Sequence, residues 1–559
     1  MAADTLAALL LARGDDERPG LYAEDRVWSW QEHVTAAGGA ATWLDAHAGN
    51  GPLHVGVLCD NVPELLFLIG GAALAGHVVV ALNPTRPPAE LARDAAATDV
   101  ALLLFDDPYE HTARTLAAEL RVGCLRLGEA AAAPPPLAAP SPPPAPPTRP
   151  APPTRATPPA PSFQAAAPGD LVMLIFTSGT SGRPRAVRIT QRKLAIPGRS
   201  LAALLTPADV VYCSMPLFHS GALMAAYAPA LASGAALALR RRFSASGLLP
   251  DVRRYGCTYL HYVGKALSYV LATPPRPDDA ACPLRLAFGN EGSATAVRRF
   301  GERFGCQVID AFGSTETAIA LTPDPDGPPG CLGRLPEGVE IRDPATGERC
   351  PPARFVAGRL VNAGEAIGEL VNVTGAGLFD GYYNDPEADA ERVRDGAFWS
   401  GDLAYADAEG HVFFAGRGTE RLRVDGENLA VAPIEAALRE FAGVIEATVY
   451  PVPDAVAGDQ VMAALVLTGP FSPDAFAAFL ASRRDLGVKA VPRYVRVCGA
   501  LPQTPSHKVV KSGLAREAWR TTDPVWLRTG TGWRLLDDDD VNAIEAGFVG
   551  NGRAHLLEG

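Results

Sequence analysis

Four short clusters in this 559-residue chain carry side chains suited to handling a nucleotide. In the first, the apolar run Leu171-Val172-Met173-Leu174-Ile175-Phe176 leads into Thr177-Ser178-Gly179-Thr180-Ser181-Gly182-Arg183-Pro184-Arg185. Glycines let backbone amides approach an anion closely, the hydroxyls can donate to phosphate oxygens, and Arg185 adds positive charge. That is the chemistry of a phosphate cradle, although the GxxxxGK[ST] of a Walker loop is absent. In the second, Val308-Ile309-Asp310-Ala311-Phe312-Gly313-Ser314-Thr315-Glu316-Thr317 sets an aromatic face, a flexible glycine, hydroxyls and a carboxylate within a few residues of one another. An aromatic ring can stack on a base, a hydroxyl can donate to phosphate, and a glutamate can hold the Mg²⁺ that neutralises ATP. The third, Ser400-Gly401-Asp402, offers an acid to which a ribose diol could donate, and the fourth, Pro502-Gln503-Thr504-Pro505-Ser506-His507-Lys508, presents a lysine on a polar loop. Taken singly, such residues are more often turn formers and solvated charges.

Elements that must position these clusters can be read around them. The first two follow strand-like runs, and Phe398-Trp399 and His411-Val412-Phe413-Phe414 resemble strand ends beside the third. The stretch from Leu65 to Leu82 has no formal charge if His77 is neutral, and is about as long as a membrane span. It reads better as a helix opened by Pro63-Glu64 and closed by Gly76, followed by a buried strand at Val78-Val79-Val80. A second helix after Leu91 and a strand from Val100 to Phe105 continue the alternation, which indicates an α/β sheet. Between Pro134 and Pro161 lie fifteen of the chain's 51 prolines and no acidic residue. A linker or loop at 134–161 is expected there, extended or disordered, because this composition cannot pack a core. Its PxxP matches arise by chance at such a proline density. A second division is expected near 416–420, with a separate pattern of about 140 residues downstream, a plausible small domain.

Composition narrows the classes. Apolar residues at 48% and charged residues at 20% are ordinary for a globular protein, the length favours several domains, and a net charge of -12 gives no nucleic-acid footprint. Nine cysteines are scattered without CxxC or zinc-like spacing, and read as buried small hydrophobes in a reducing, cytoplasmic setting. Asp4, Asp15, Asp16 and Glu17 near the N-terminus argue against a secretion signal. Peripheral membrane contact is compatible with this reading; a spanning segment is not expected.

In their order along the chain the four clusters resemble the adenylate-forming superfamily of acyl-CoA synthetases, adenylation domains and luciferases. Phe243-Ser244-Ala245-Ser246, Tyr262-Val263-Gly264, Leu284 to Asn290, Arg423-Val424-Asp425-Gly426-Glu427-Asn428 and the tail from Asp537 to Leu557 resemble the fatty-acid transport protein and very-long-chain acyl-CoA synthetase branch. The resemblance implies an α/β fold with a large N-terminal domain of several subdomains, mixed sheets and helices, over 1–415. A hinge at 416–420 and a small mobile α+β C-terminal domain over 421–559 complete it. It further implies that Thr177, Ser178, Gly179, Thr180, Ser181, Gly182 and Arg185 cradle the triphosphate of ATP, with Thr177 and Glu316 placing Mg²⁺. Phe312 stacks on adenine in a segment formed by Asp310, Ala311, Gly313, Ser314 and Thr315, while Asp402 and Arg417 take the ribose end. Lys508, with Glu316, Thr315 and His219, serves catalysis; a mobile point charge suits displacement at the α-phosphorus. Phe218, His219, Val263, Gly264, Lys265 and Gly289 line the acid pocket. The small domain swings about Thr419, presenting Lys508 for adenylation and then Gly426 for attack by the thiol of CoA.

Four positions depart from the pattern: Arg185 replaces the usual Lys, His507 a Gly, and Gly416 and Thr419 acidic residues. Lys265 stands where the branch carries Glu. Facing the pocket, it would suit a substrate with a second anionic group, or a small anion, better than a plain alkyl chain; facing solvent, it is a helix-start charge. The sequence therefore implies ATP-dependent activation of a fatty or related acid as acyl-AMP, then transfer to CoA. The alternatives are amide formation, nitrite activation for diazotisation, or an inactive nucleotide-binding homologue.

Overall fold

A computed structural model describes residues 4–130, 137–138, 165–178, 184–263, 265–292, 294–321, 324, 326–328, 330–356, 359–417, 422–424, 427–429, 431–456, 459–483, 486–503, 509–530 and 532–557. Two large sheets form the N-terminal part. One has six strands, in the order Gly123–Arg126, Leu102–Phe105, His54–Leu58, Val78–Ala81, Leu171–Ser178, Pro184–Thr190. All its pairs are parallel except the last, an antiparallel pair whose two strands flank the phosphate-cradle segment in sequence. The other has eight strands and runs parallel from Gln307–Asp310 through Leu286–Asn290, Tyr259–Val263, Val210–Cys213 and Ala236–Leu239 to Pro19–Ala23. Its far edge is antiparallel, where Arg26–Ser29 pairs with Leu137–Ala138. The rest of the proline-dense segment lies outside the described residues.

The apolar run that could pass for a membrane span is the helix Pro63–Ala75, with Pro at its first turn and Gly76 at φ 75 closing it, followed by the strand Val78–Ala81. Its burial on every face comes from packing against Trp30–His47, the helix Leu6–Leu11 and the strands Val78–Ala81 and Leu171–Ser178. A Cβ at Gly71 would lie 2.7 Å from the Ala41 nitrogen and 2.8 Å from the Ala40 Cβ, so glycine is what allows these helices to approach. Among the described residues no helix is long and apolar enough to cross a membrane.

A third, antiparallel sheet carries the Asp402 cluster. Its central pair, Ala397–Ala406 and His411–Arg417, aligns Asp402 with Arg417. The strand thus continues two residues past the expected boundary at 415, because its ladder is still satisfied there. Beyond it, a five-stranded sheet (Val444–Pro453, Asp459–Leu467, Tyr494–Val497, Val525–Thr529, Gly532–Leu535) has its own two apolar clusters. Neither cluster contains a buried residue from before Leu422, the pattern of a unit with a separate core. All nine cysteines are free, six of them buried.

Candidate active site

One cavity of about 310 Å³ gathers side chains from all three N-terminal sheets. Its polar lining includes Thr177, Arg185, Thr315, Glu316 and Asp402, with the ring of Phe312 among them. The antiparallel pair explains the first two: Thr177 and Arg185 are cross-strand partners near its end. Arg185 is buried, ion-paired with Glu391, and its guanidinium lies 5.4 Å from the centre of the Tyr382 ring. Burial works against that charge, and the hydrogen bond and field of Glu391 more than offset it, so the group is held charged. Asp402 is 6% exposed in the middle of its strand, beside a register irregularity where the Ser400 hydroxyl donates to the Leu370 carbonyl at 2.8 Å and accepts from the Asp402 amide at 3.1 Å.

Glu316 is fixed by a residue that the clusters do not contain. The Tyr382 hydroxyl donates to Glu316 Oε1 at 2.9 Å, and burial, reinforced by the Glu316 charge, raises the phenol's pKa so that it remains a donor. Lys193, on the helix Gln191–Ala202, is fully buried nearby, its ammonium 5.7 Å from the centre of the Phe379 ring. Among the described residues its Nζ has no hydrogen-bond partner. Burial lowers its pKa to about 8, opposed by the fields of Glu316 and Asp380. The folded pKa lies below the ordinary 10.5, so the destabilisation is complete below about pH 8 and fades as pH rises from there to 10.5. Lys193→Met is therefore expected to stabilise the ligand-free protein at pH 7 by about 3 kcal/mol, at 1.36 kcal/mol per pKa unit. The gain should vanish near pH 10.5. Urea unfolding of both proteins at the two pH values measures it, and a variant no more stable than its parent at pH 7 refutes the account.

The remaining lining is largely apolar. Pro197 and Leu201 come from the helix that carries Lys193, Met224 and Ala225 from a π-helical turn at Leu223–Tyr227, and Val263 and Phe288 from adjacent parallel strands. Such π turns recur at functional sites, where the extra residue re-aims side chains. Gly289 is required at its strand end, since a Cβ there would collide with the Tyr262 carbonyl. His219 lines the same space, next to Ser220, whose hydroxyl is 3.0 Å from that of Thr315. This pair ties the acid wall to the nucleotide loop.

The fold brings together Thr177, Arg185, His219, Val263, Gly289, Ala311, Phe312, Gly313, Ser314, Thr315, Glu316 and Asp402. Two expected members do not line this cavity. Asp310 turns to the other side of its strand, where its carboxylate accepts from the Tyr262 hydroxyl and the Gly292 amide, each at 2.8 Å, and burial raises its pKa to about 7. Phe218 packs against the main core. Gly179, Thr180, Ser181, Gly182, Gly264, Thr419, Gly426 and Lys508 lie outside the described residues, as do the side chains of Ser178, Lys265 and Arg417. Sequence reading missed Tyr382, Arg392 and Ser220, which line the cavity, and Lys193 beside it; Tyr382, Arg392 and Lys193 belong to none of the four clusters, and only Ser220, directly after His219, offered a signal.

Residues 11–383 match the family described as AMP-binding enzyme, and residues 433–508 match the AMP-binding enzyme C-terminal domain. The chain belongs to the AMP-binding enzymes. Among relatives of this AMP-binding enzyme, the medium/long-chain-fatty-acid–CoA ligase FadD17 of Mycobacterium marinum is 46% identical over 532 residues, covering 94% of this chain and 99% of its own. The steroid-22-oyl-CoA synthetase of Rhodococcus jostii is 41% identical over 566 residues, 99% of each chain. In fold, the enzyme is similar to ATP-bound MatB from Rhodopseudomonas palustris, at a TM-score of 0.76 and 24% identity over 92% of this chain and 98% of that one. The AMP-binding enzyme described here is an acid–thiol ligase that uses ATP and CoA to form an acyl-CoA. Its acceptor is thus CoA, in place of the amine and nitrite chemistries that Lys265 left open.

Proposed function

We propose that the acid is a bulky hydrophobic monocarboxylate, a medium- or long-chain fatty acid or the side chain of a steroid. The observation that carries this reading is the apolar half of the cavity, where Pro197, Leu201, Met215, Met224, Ala225 and Phe288 surround the space beyond Gly289. Removing apolar surface from water there favours a hydrocarbon tail by roughly 25 cal/mol per Å², and the methionines can follow an irregular shape. The relatives named for fatty and steroid acids support it.

In this reading ATP binds with its base on Phe312, its ribose at Asp402 and Arg417, and its phosphates between the 177–182 loop and Arg185. Thr177 and Glu316 offer the hard oxygen donors that suit Mg²⁺, and the hydrogen bond from Tyr382 holds the Glu316 carboxylate while leaving its second oxygen to a cation. Bound there, the ion would neutralise the phosphates. Lys508 contacts the carboxylate and the α-phosphate as the acid oxygen displaces pyrophosphate, and the CoA thiol then attacks the acyl carbon, releasing AMP. Nine free thiols accord with a reducing, cytoplasmic setting.

Pyrophosphate release measured across a series of straight-chain acids, a steroid carboxylic acid and short dicarboxylates, each with CoA, tests the substrate class. The hydrophobic acids should exceed the dicarboxylates at least 10-fold in kcat/KM. Preference for a dicarboxylate would overturn the reading and return attention to Lys265.

A further inference from the structure

The helix Lys265–Leu271 begins directly after the pocket strand Tyr259–Val263 and carries Tyr269, half-buried, about one turn further on. Tyr269 meets two residues from the opposite side of the expected hinge. Its hydroxyl donates to Glu446 Oε1 at 2.9 Å, and Gln503 Nε2 reaches the Tyr269 oxygen at 2.9 Å and the two Glu446 oxygens at 2.9 and 3.0 Å. Glu446 is 7% exposed, on the strand Val444–Pro453. Burial pushes the Tyr269 phenol up to about 12, so it remains a donor at neutral pH.

Gln503 has a particular place in the chain. It forms an isolated antiparallel bridge with Val509, and the Val510 amide donates to the Pro502 carbonyl at 2.8 Å. These contacts close the base of the segment that contains Lys508. On the downstream side, Lys511 is ion-paired with Glu435 at 2.9 Å. Both feet of the segment are therefore fixed, one of them against the helix that leaves the acid pocket. A rotation of the small domain that carries Lys508 away must first break the triangle of hydrogen bonds.

We propose that Tyr269, Glu446 and Gln503 form a clasp between the helix that leaves the acid pocket and the base of the Lys508 segment, holding the small domain in place for adenylation and opening before thioester formation. The three are positioning residues, acting through Lys508, and the inference rests on the role proposed for that lysine. Hydrogen bonds that exist in only one orientation shift the balance between orientations by their own strength, and a buried, charge-assisted set is worth more than an exposed one.

The two half-reactions can be timed apart: acid-dependent pyrophosphate formation by rapid quench, and acyl-CoA formation from supplied acyl-AMP and CoA. Tyr269→Phe and, separately, Gln503→Glu, which faces one carboxylate with another, should each slow the first roughly 10-fold. The second should hold its rate or rise. A thermal melt of each variant establishes that it is folded, and the rate ratio is internal to each protein, so a general loss of stability does not imitate the split. Equal slowing of both half-reactions, or no change in either, overturns the clasp. Lys508→Ala run alongside distinguishes the failures: a lysine variant that adenylates normally removes the role proposed for Lys508, whereas a lysine effect without a clasp split removes the clasp alone.

Discussion

Lys508→Ala is expected to slow acid-dependent pyrophosphate release by on the order of 10²–10³-fold, the usual consequence of deleting a group that stabilises charge developing in a transition state. The motive is the position of this lysine at the end of Pro502 to Lys508, the last of four ordered clusters, and the closed base of its segment at Gln503 and Val509. Thioester formation from supplied acyl-AMP does not need the lysine and should stay within a few-fold of the parent rate. A Lys508→Arg variant keeps the charge but spreads it over a planar fork, and should recover only part of the loss. Retention of the parent rate by the alanine variant would exclude the residue from the chemistry.

Glu316→Gln should have an effect of similar size by a different route. The glutamine carbonyl can still accept from Tyr382, so packing around the site is preserved while the negative charge is lost. We expect kcat/KM for MgATP to drop on the order of 10²-fold, with a steeper dependence on Mg²⁺ concentration, and acyl transfer to CoA to be little altered. Tyr382→Phe, which removes only the hydrogen bond that orients the carboxylate, should cost several-fold. If the glutamine variant needs no more Mg²⁺ than its parent, the carboxylate is not serving the cation. Taken with the field that Glu316 exerts on Lys193, the comparison also reports how the site tolerates a buried ammonium: without Glu316 it loses one of the two opposing charges that support its protonation.

Much of the architecture was legible because the signals are local. Pro63, an apolar run and Gly76 mark a helix by capping rules alone, and the β-branched triplet after it can hardly be anything but a buried strand. The strand before the phosphate cradle and that before Phe312 were equally plain, and the strand expected from Val100 begins at Leu102. Residues whose role depends on long-range packing were not legible. Tyr382 is an ordinary tyrosine until a bridge to Val187, on the strand Pro184–Thr190 of the first sheet, brings it beside Glu316, 66 residues away in sequence. Met215, Met224 and Phe288 have the composition of any core, and only the cavity distinguishes a wall from an interior. Asp310 shows the converse: adjacency to Phe312 placed it with the adenine site, but the strand ends at Asp310, and the Tyr262 hydroxyl and Gly292 amide hold its carboxylate away from the cavity.

The free thiols described with the fold have a chemical meaning for an enzyme that makes acyl-adenylates. Such a mixed anhydride is a strong acylating agent, and a protein thiolate beside it would capture the acyl group in a dead-end self-modification. No cysteine is among the described residues that line the cavity, and burial raises the thiol pKa at Cys59, Cys213, Cys257, Cys282 and Cys306. A neutral thiol is a poor nucleophile. The activated intermediate is thereby kept from the protein's own sulfur and reserved for the sulfur of the incoming cosubstrate.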